Sequence, residues 1–366
     1  MKSDPATAHG TIDPRFDAVR ETFADMVRGI AGTGAAVAAW HDGAWVVDLW
    51  GGWADAARLR PWQRSSIVQP YSVTKPFAAL CALRLADQGE LELEAPVQRY
   101  WPEFRAPATV RHVLSHQAGV VALDQAAPTE TFYDWERLCA LLARQEPAWT
   151  PGTAHGESAL FYGHLVGELV RRVDGRSLGR FLRDEICGPF ELDFHVGLSP
   201  ADRRRAVDLT GLDEFRRSHE SGRPPLYRRA LVNPPGALEP RVVNSPAWRS
   251  AEIPAINGHG SARGIAGFYA ALLRGELLSS TLLAETTTVQ CAGRDRVLGS
   301  ETAWGLGFGV DDDGFGMGGL GGSFGAASTR GGYAFAFVTG TIGDGSAGEA
   351  LESTFRSCLG LAPLGG

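Results

Sequence analysis

The chain has 366 residues, 44% hydrophobic and 21% charged, as in an ordinary soluble globular protein with room for one large or two moderate cores. A formal net charge of -7 without a basic stripe excludes nucleic acid as the expected partner, and no apolar run reaches the length of a membrane span. The five cysteines (Cys81, Cys139, Cys187, Cys291 and Cys358) are scattered, so they read as buried reduced thiols and not as a disulfide framework or metal cluster. The start Met1-Lys2-Ser3-Asp4-Pro5 lacks an apolar signal core, which makes a cytoplasmic location the expectation.

In chain order, residues 1–13 read as a disordered tail. Asp13-Pro14 then opens an amphipathic helix to about Gly29, with Phe16, Val19, Phe23, Met26 and Val27 on one side. Two short apolar runs, Gly34–Trp40 and Ala44–Leu49, flank His41-Asp42-Gly43 as a hairpin. A polar loop leads to an apolar helix beginning near Ser72 and stopped by Gly89. Shorter helices follow at 110–116, 133–144, 161–173 and 178–186. The proline-rich stretch 200–256 reads as long loops and short helices, and 261–273 as a further helix. From Ala303 the texture changes to strand-like runs (303–310, 316–320, 325–328, 334–341) between Gly and Asp turns, closed by a helix at 347–358. Strands at both ends with helices between predict an α/β fold: residues 14–105 and 255–366 form an α/β domain, and 106–254 an inserted, mostly helical domain.

The chemistry concentrates at Ser72-Val73-Thr74-Lys75. Residues i and i+3 share a helix face, so the Ser72 hydroxyl and the Lys75 ammonium converge on one point. A desolvated lysine shifts its pKa down and becomes able to handle the serine proton. The chain contains two lysines, Lys2 and Lys75, against many arginines. The only lysine of the folded part therefore stands where an arginine could not lose its proton. Pro76 fits the first turn of a helix, where its missing N–H is harmless.

Together with other segments, this pair resembles the serine β-lactamase and penicillin-binding-protein superfamily, most closely its family VIII carboxylesterase branch. Ser72-Val73-Thr74-Lys75 matches the nucleophile motif of that family. Arg111-His112-Val113-Leu114-Ser115-His116-Gln117-Ala118-Gly119 resembles its helical LLSH-x-SG segment. Pro151-Gly152-Thr153, followed by a helix with Gly163 and Gly167, resembles the segment leading into the second catalytic motif, and Asn233-Pro234-Pro235, Trp248–Pro254 and Asn257-Gly258-His259-Gly260 resemble stretches of the esterase-like members. The resemblance, running from about residue 15 to residue 360, implies an antiparallel sheet flanked by helices with an inserted helical domain. It also implies Ser72 as nucleophile, an oxyanion hole from the backbone N–H groups of Ser72 and Leu320, and no cofactor.

The sequence departs from the family at two motifs. The family tyrosine of the second motif falls on Glu157 in His155-Gly156-Glu157-Ser158-Ala159. Three readings of Glu157 stand open: it holds Lys75 charged, or it is itself the base or proton relay, or Tyr162 supplies the phenol instead. The third motif, Lys-Thr-Gly or His-x-Gly in relatives, becomes Met317-Gly318-Gly319, which keeps the glycine backbone and replaces its polar head by a soft apolar side chain. Met317, Gly318, Gly319, His155 and Tyr162 are the expected substrate contacts. Losing the polar head disfavours β-lactamase or peptidase chemistry on carboxylate-bearing substrates.

Other constellations carry less. His112 and His116 have an i, i+4 spacing that zinc could use, without a third ligand. Asp311-Asp312-Asp313-Gly314 reads as a hairpin turn, not a calcium loop, and Gly305-Leu306-Gly307-Phe308-Gly309 lacks the strand-turn-helix context of a dinucleotide loop. The expected function is a serine acyl-enzyme catalyst acting on a small carboxylic ester. It passes the acyl group to water, or to an alcohol or amine acceptor as in amide formation in a specialised biosynthetic pathway. The alternatives are a non-catalytic binding protein of the same fold, and a plain carboxylesterase with trace β-lactamase activity.

Overall fold

Strands from both ends of the chain build one antiparallel sheet. In a computed structural model, residues 7–219 and 223–363 are described. The strands are β1 (His9–Ile12), β2 (Ala35–His41), β3 (Ala44–Gly51), β4 (Phe194–His195), β5 (His259–Gly260), β6 (Cys291–Arg294), β7 (Glu301–Trp304), β8 (Gly309–Val310), β9 (Gly314–Gly318), β10 (Phe324–Ser328) and β11 (Tyr333–Thr339). Nine of them form a sheet in the order β1-β3-β2-β11-β10-β9-β8-β7-β6, while β4 and β5 pair separately.

Alternation along the central strands assigns the two faces of the sheet. Val37, Phe335 and Phe337 point to a layer made by α1 (Asp17–Gly29) and the Ser346–Cys358 helix, where they meet Phe16, Val19, Phe23 and Phe355. Ala36, Ala38, Ala334 and Ala336 point the other way, into the larger core beneath the Ala262–Leu273 helix. Their small side chains let that helix lie close to β2 and β11.

The larger core surrounds α2 (Thr74–Asp87), whose side chains from Thr74 to Leu83 are all buried. A helix apolar all round belongs in an interior, and this one stacks Phe77 between Phe194 (3.7 Å) and Phe268 (4.0 Å). A single 3₁₀ turn, Tyr71–Val73, leads into it. Between Pro200 and Ser250 the expected short helices begin at Pro200, Pro225, Pro240 and Pro246, each proline occupying an early helical position whose N–H has no partner to lose.

The expected tail at 1–13 is corrected in part. Residues 1–6, with Lys2, lie outside the described residues, but His9–Ile12 forms β1, paired with Val47–Trp50 of β3. An edge strand is held by backbone hydrogen bonds and needs no apolar pattern, so periodicity missed it. Gly10 is required there: at φ 115° its missing Cβ would sit 2.0 Å from the Asp48 carbonyl oxygen. Edge strand β6 was missed for the same reason. Among the described residues no helix is long and apolar enough to cross a membrane.

Candidate active site

Ser72 sits in the turn before α2, and the residue before it is strained: Tyr71 has φ 47°, a conformation costing a non-glycine residue about 1 kcal/mol or more. The surroundings hold that turn in place. The Tyr71 hydroxyl donates to the Ala237 carbonyl at 2.9 Å, and the Thr74 hydroxyl donates to the Tyr71 carbonyl at 2.7 Å. The Gly258 N–H in turn donates to the Thr74 hydroxyl at 3.1 Å, tying α2 to the segment before β5.

Lys75 is fully buried, and the described residues offer its ammonium three acceptors: Ser72 Oγ at 2.7 Å, Glu157 Oε1 at 2.8 Å and the Ala255 carbonyl at 3.4 Å. A protonated lysine has three donors and no lone pair, so this environment matches its charged form. Burial pushes the Lys75 pKa down, and the Glu157 carboxylate partly restores it. Burial also opposes ionisation of Glu157, yet Lys75, nearby His116 and the Ser72 hydrogen bond together hold the carboxyl below its usual range. The Ser72 hydroxyl donates to Glu157 Oε1 at 3.2 Å, so the carboxylate is the proton acceptor in contact with it.

Glu157 lies on an irregular segment anchored from two sides. Its own N–H donates to Asp295 Oδ2 at 2.9 Å, while Asp295 Oδ1 accepts from Val297 and Leu298 N–H, both at 2.8 Å. The His116 carbonyl accepts from Gly156 N–H at 3.1 Å, and His116 Nδ1 from Ser158 N–H at 3.2 Å. An accepting Nδ1 puts the ring proton of neutral His116 on Nε2. Burial pushes the imidazole down to about 3, so it stays neutral beside Lys75 and Glu157.

The opposite wall is β9 and the turn after it. Gly319 packs so closely on the strained turn that a Cβ there would lie 2.0 Å from the Pro70 carbonyl oxygen. Neither the Leu320 N–H nor the Ser72 N–H donates to another group among the described residues. A cavity of about 760 Å³ is lined by Ser72, Glu157, Met317, Gly318, Gly319 and Leu320, with Leu160, Phe215 and Ile256 among its apolar residues.

Of the residues picked from sequence, Ser72, Lys75 and Glu157 are thus in mutual contact, and Met317 to Leu320 face them across the cavity. His155 and Tyr162 are not among the lining residues. His155 is buried against Thr302 Oγ1 at 3.0 Å. Tyr162 is fully buried, donates to the Leu114 carbonyl at 3.0 Å and lies against the His116 ring. Its phenol is taken up by packing because it belongs to the Tyr162–Asp174 helix, beyond the loop that carries Glu157. The expected shared face of His112 and His116 is also corrected: the helix ends at Leu114, and His116 has φ 60°. Asp311–Gly314 is the expected hairpin turn between β8 and β9.

Sequence reasoning missed Asp295 and the anchoring role of His116. Asp295 was masked by Arg294 and Arg296, although an aspartate before Val-Leu-Gly is a composition in which a carboxylate closes a turn on following N–H groups.

Comparison with known proteins bears on the fold and the family. The chain matches the beta-lactamase family over residues 19–351. It is 33% identical to the esterase/beta-lactamase LipL of Mycobacterium tuberculosis over 363 residues, covering 90% of this chain and 82% of that protein. Among solved structures it is similar to a family VIII carboxylesterase (TM-score 0.86, 34% identity, 96% of this chain and 99% of that one). A penicillin-binding-protein homologue from Caulobacter crescentus is comparably similar (TM-score 0.86, 32% identity, 97% and 100%). With the match spanning nearly its whole length, the chain belongs to the beta-lactamase family, where it is similar to esterase members.

Proposed function

We propose that the protein is a serine carboxylesterase in which a Lys75–Glu157 ion pair serves the nucleophile Ser72. The observation that carries this reading is the contact set at Ser72 Oγ, with the Lys75 ammonium at 2.7 Å and the Glu157 carboxylate at 3.2 Å. As Ser72 Oγ bonds to the ester carbonyl carbon, its proton passes to Glu157 and the Lys75 ammonium stabilises the oxygen losing it. The Ser72 and Leu320 N–H groups receive the oxyanion. Glu157 then returns the proton to the departing alcohol oxygen as the carbon–oxygen bond breaks. Water, activated by the same carboxylate, releases the acid. Substrate contacts fall to Met317, Gly318 and Gly319.

Acyl transfer to an alcohol or amine is the second outcome, supported by the apolar Met317 near the end of β9, which favours an organic acceptor over water. The test is turnover of p-nitrophenyl butyrate, with and without added alcohol or amine, by wild type, Ser72→Ala and Lys75→Ala. Release of p-nitrophenol is expected only from wild type. Equal rates in Ser72→Ala would show a different nucleophile, and binding without turnover in wild type would favour the non-catalytic alternative.

A further inference from the structure

We propose that the mouth of the cleft carries an anion-binding subsite, made by Arg223, Arg294 and Arg296, that selects esters bearing a carboxylate remote from the scissile bond. The inference rests on the esterase reading and adds a substrate class to it.

A second concavity of about 780 Å³ adjoins the Ser72 cavity, and the two share Arg223 and Leu298 in their walls. All three arginines line this outer concavity, and all are exposed. Elsewhere in the chain arginines are commonly paired with carboxylates; Arg229, in the Pro225–Val232 helix that follows Arg223, meets Asp124 at 2.7 Å. Arg223, Arg294 and Arg296 form no ion pair among the described residues. Arg223 donates weakly to the Leu298 carbonyl at 3.4 Å and lies 5.1 Å over the Tyr227 ring, while Arg296 lies 5.9 Å over the Trp149 ring. Glu301 stands opposite Arg294 in the β6–β7 register without an ion pair. Asp295, the acid lining the concavity, is buried and occupied by the N–H groups of Glu157, Val297 and Leu298.

Three arginines thus collect on the outer concavity in a protein of net charge -7, whereas the inner cavity carries Asp311, Asp313, Asp344, Glu349 and Glu352, of which Asp313 is paired with Arg356. Aromatic faces hold two of the guanidiniums without consuming their donors, which leaves planar forks suited to a carboxylate. Met317, near the end of β9, leaves that strand without a charged side chain for anion recognition. The arginines supply it farther out, at the end of an acyl chain or alcohol instead of beside the serine.

The test compares p-nitrophenyl monoesters of adipic, suberic and sebacic acids with neutral p-nitrophenyl alkanoates of matched length. For the best-fitting length, kcat/KM of the charged ester is expected to exceed that of the neutral one by about tenfold, the equivalent of about 1.4 kcal/mol. Adding salt should shrink this ratio, and so should Arg223→Gln combined with Arg296→Gln. A ratio at or below one for every length, or one indifferent to the arginines, overturns the subsite; Ser72-dependent turnover of the neutral ester then leaves the esterase reading standing. Should neither ester be turned over, calorimetry of suberic acid monoanilide with Ser72→Ala separates the two ideas. Binding lost on substituting the arginines upholds the subsite without the esterase, and no binding at all overturns the subsite as well.

Discussion

At the scale of single residues, the site turns on how one buried lysine is neutralised. The Glu157 carboxylate does so through an ion pair at 2.8 Å. Glu157→Gln keeps the shape and removes the proton acceptor, so kcat/KM should fall between about a hundredfold and ten-thousandfold. In wild type, activity should rise with pH as Glu157 ionises, on a limb below the ordinary glutamate value of 4.5. It should decline as Lys75 loses its proton, on a limb below the ordinary lysine value of 10.5. A pH–rate profile checks both directions, and the acid limb should disappear in Glu157→Gln. Stability offers an independent measure of the pair. Lys75→Met strands a buried carboxylate and should cost about 3–5 kcal/mol by denaturant melts, whereas Lys75→Met with Glu157→Leu should recover much of it.

At the scale of elements, function depends on how closely β9 approaches the turn before α2. Gly319→Ala would place a methyl group 2.0 Å from the Pro70 carbonyl oxygen, backbone against backbone, so strand and turn must part. Thermal melts should show a clear loss of Tm for Gly319→Ala, together with loss of esterase activity as the Leu320 and Ser72 N–H groups separate. Gly318→Ala, whose Cβ meets nothing within 4 Å, should melt like wild type. The same elements show what a sequence discloses. Ser72, Lys75 and Glu157 were legible because two lie one helical turn apart and the third follows a recognisable Pro-Gly-Thr. The β2–β3 hairpin, α1 and α2 were legible from periodicity and glycine stops. Edge strands β1 and β6 were not, since backbone pairing leaves no side-chain pattern. Nor were the anchors of Glu157: His116 and Asp295 act through carbonyl, imidazole and carboxylate contacts to N–H groups distant in sequence.

At the scale of the whole molecule, a sheet closed by both chain ends carries a core that encloses the histidines His116, His164 and His259, each pushed down to about 3 by burial. Unfolded, each binds a proton below its ordinary value of 6.5, so stability falls as pH drops through that value. Glu352 acts in the opposite sense: burial raises it to about 7, so the folded chain gains a proton that the unfolded chain takes up only near 4.5. Three protons favouring unfolding less one favouring folding leave two. Between pH 6.5 and 4.5 stability should therefore decline by up to about 2.7 kcal/mol per pH unit, measurable by denaturant titration across that range.

The central claim is that Ser72 becomes covalently acylated, and intact-protein mass spectrometry after brief exposure to an activated ester tests it most directly. One acyl adduct is expected, mapped to Ser72 by peptide analysis, absent from Ser72→Ala and much slower to form in Glu157→Gln. An adduct of undiminished yield in Ser72→Ala, or none in wild type under conditions where the ester is consumed by the enzyme, would contradict it.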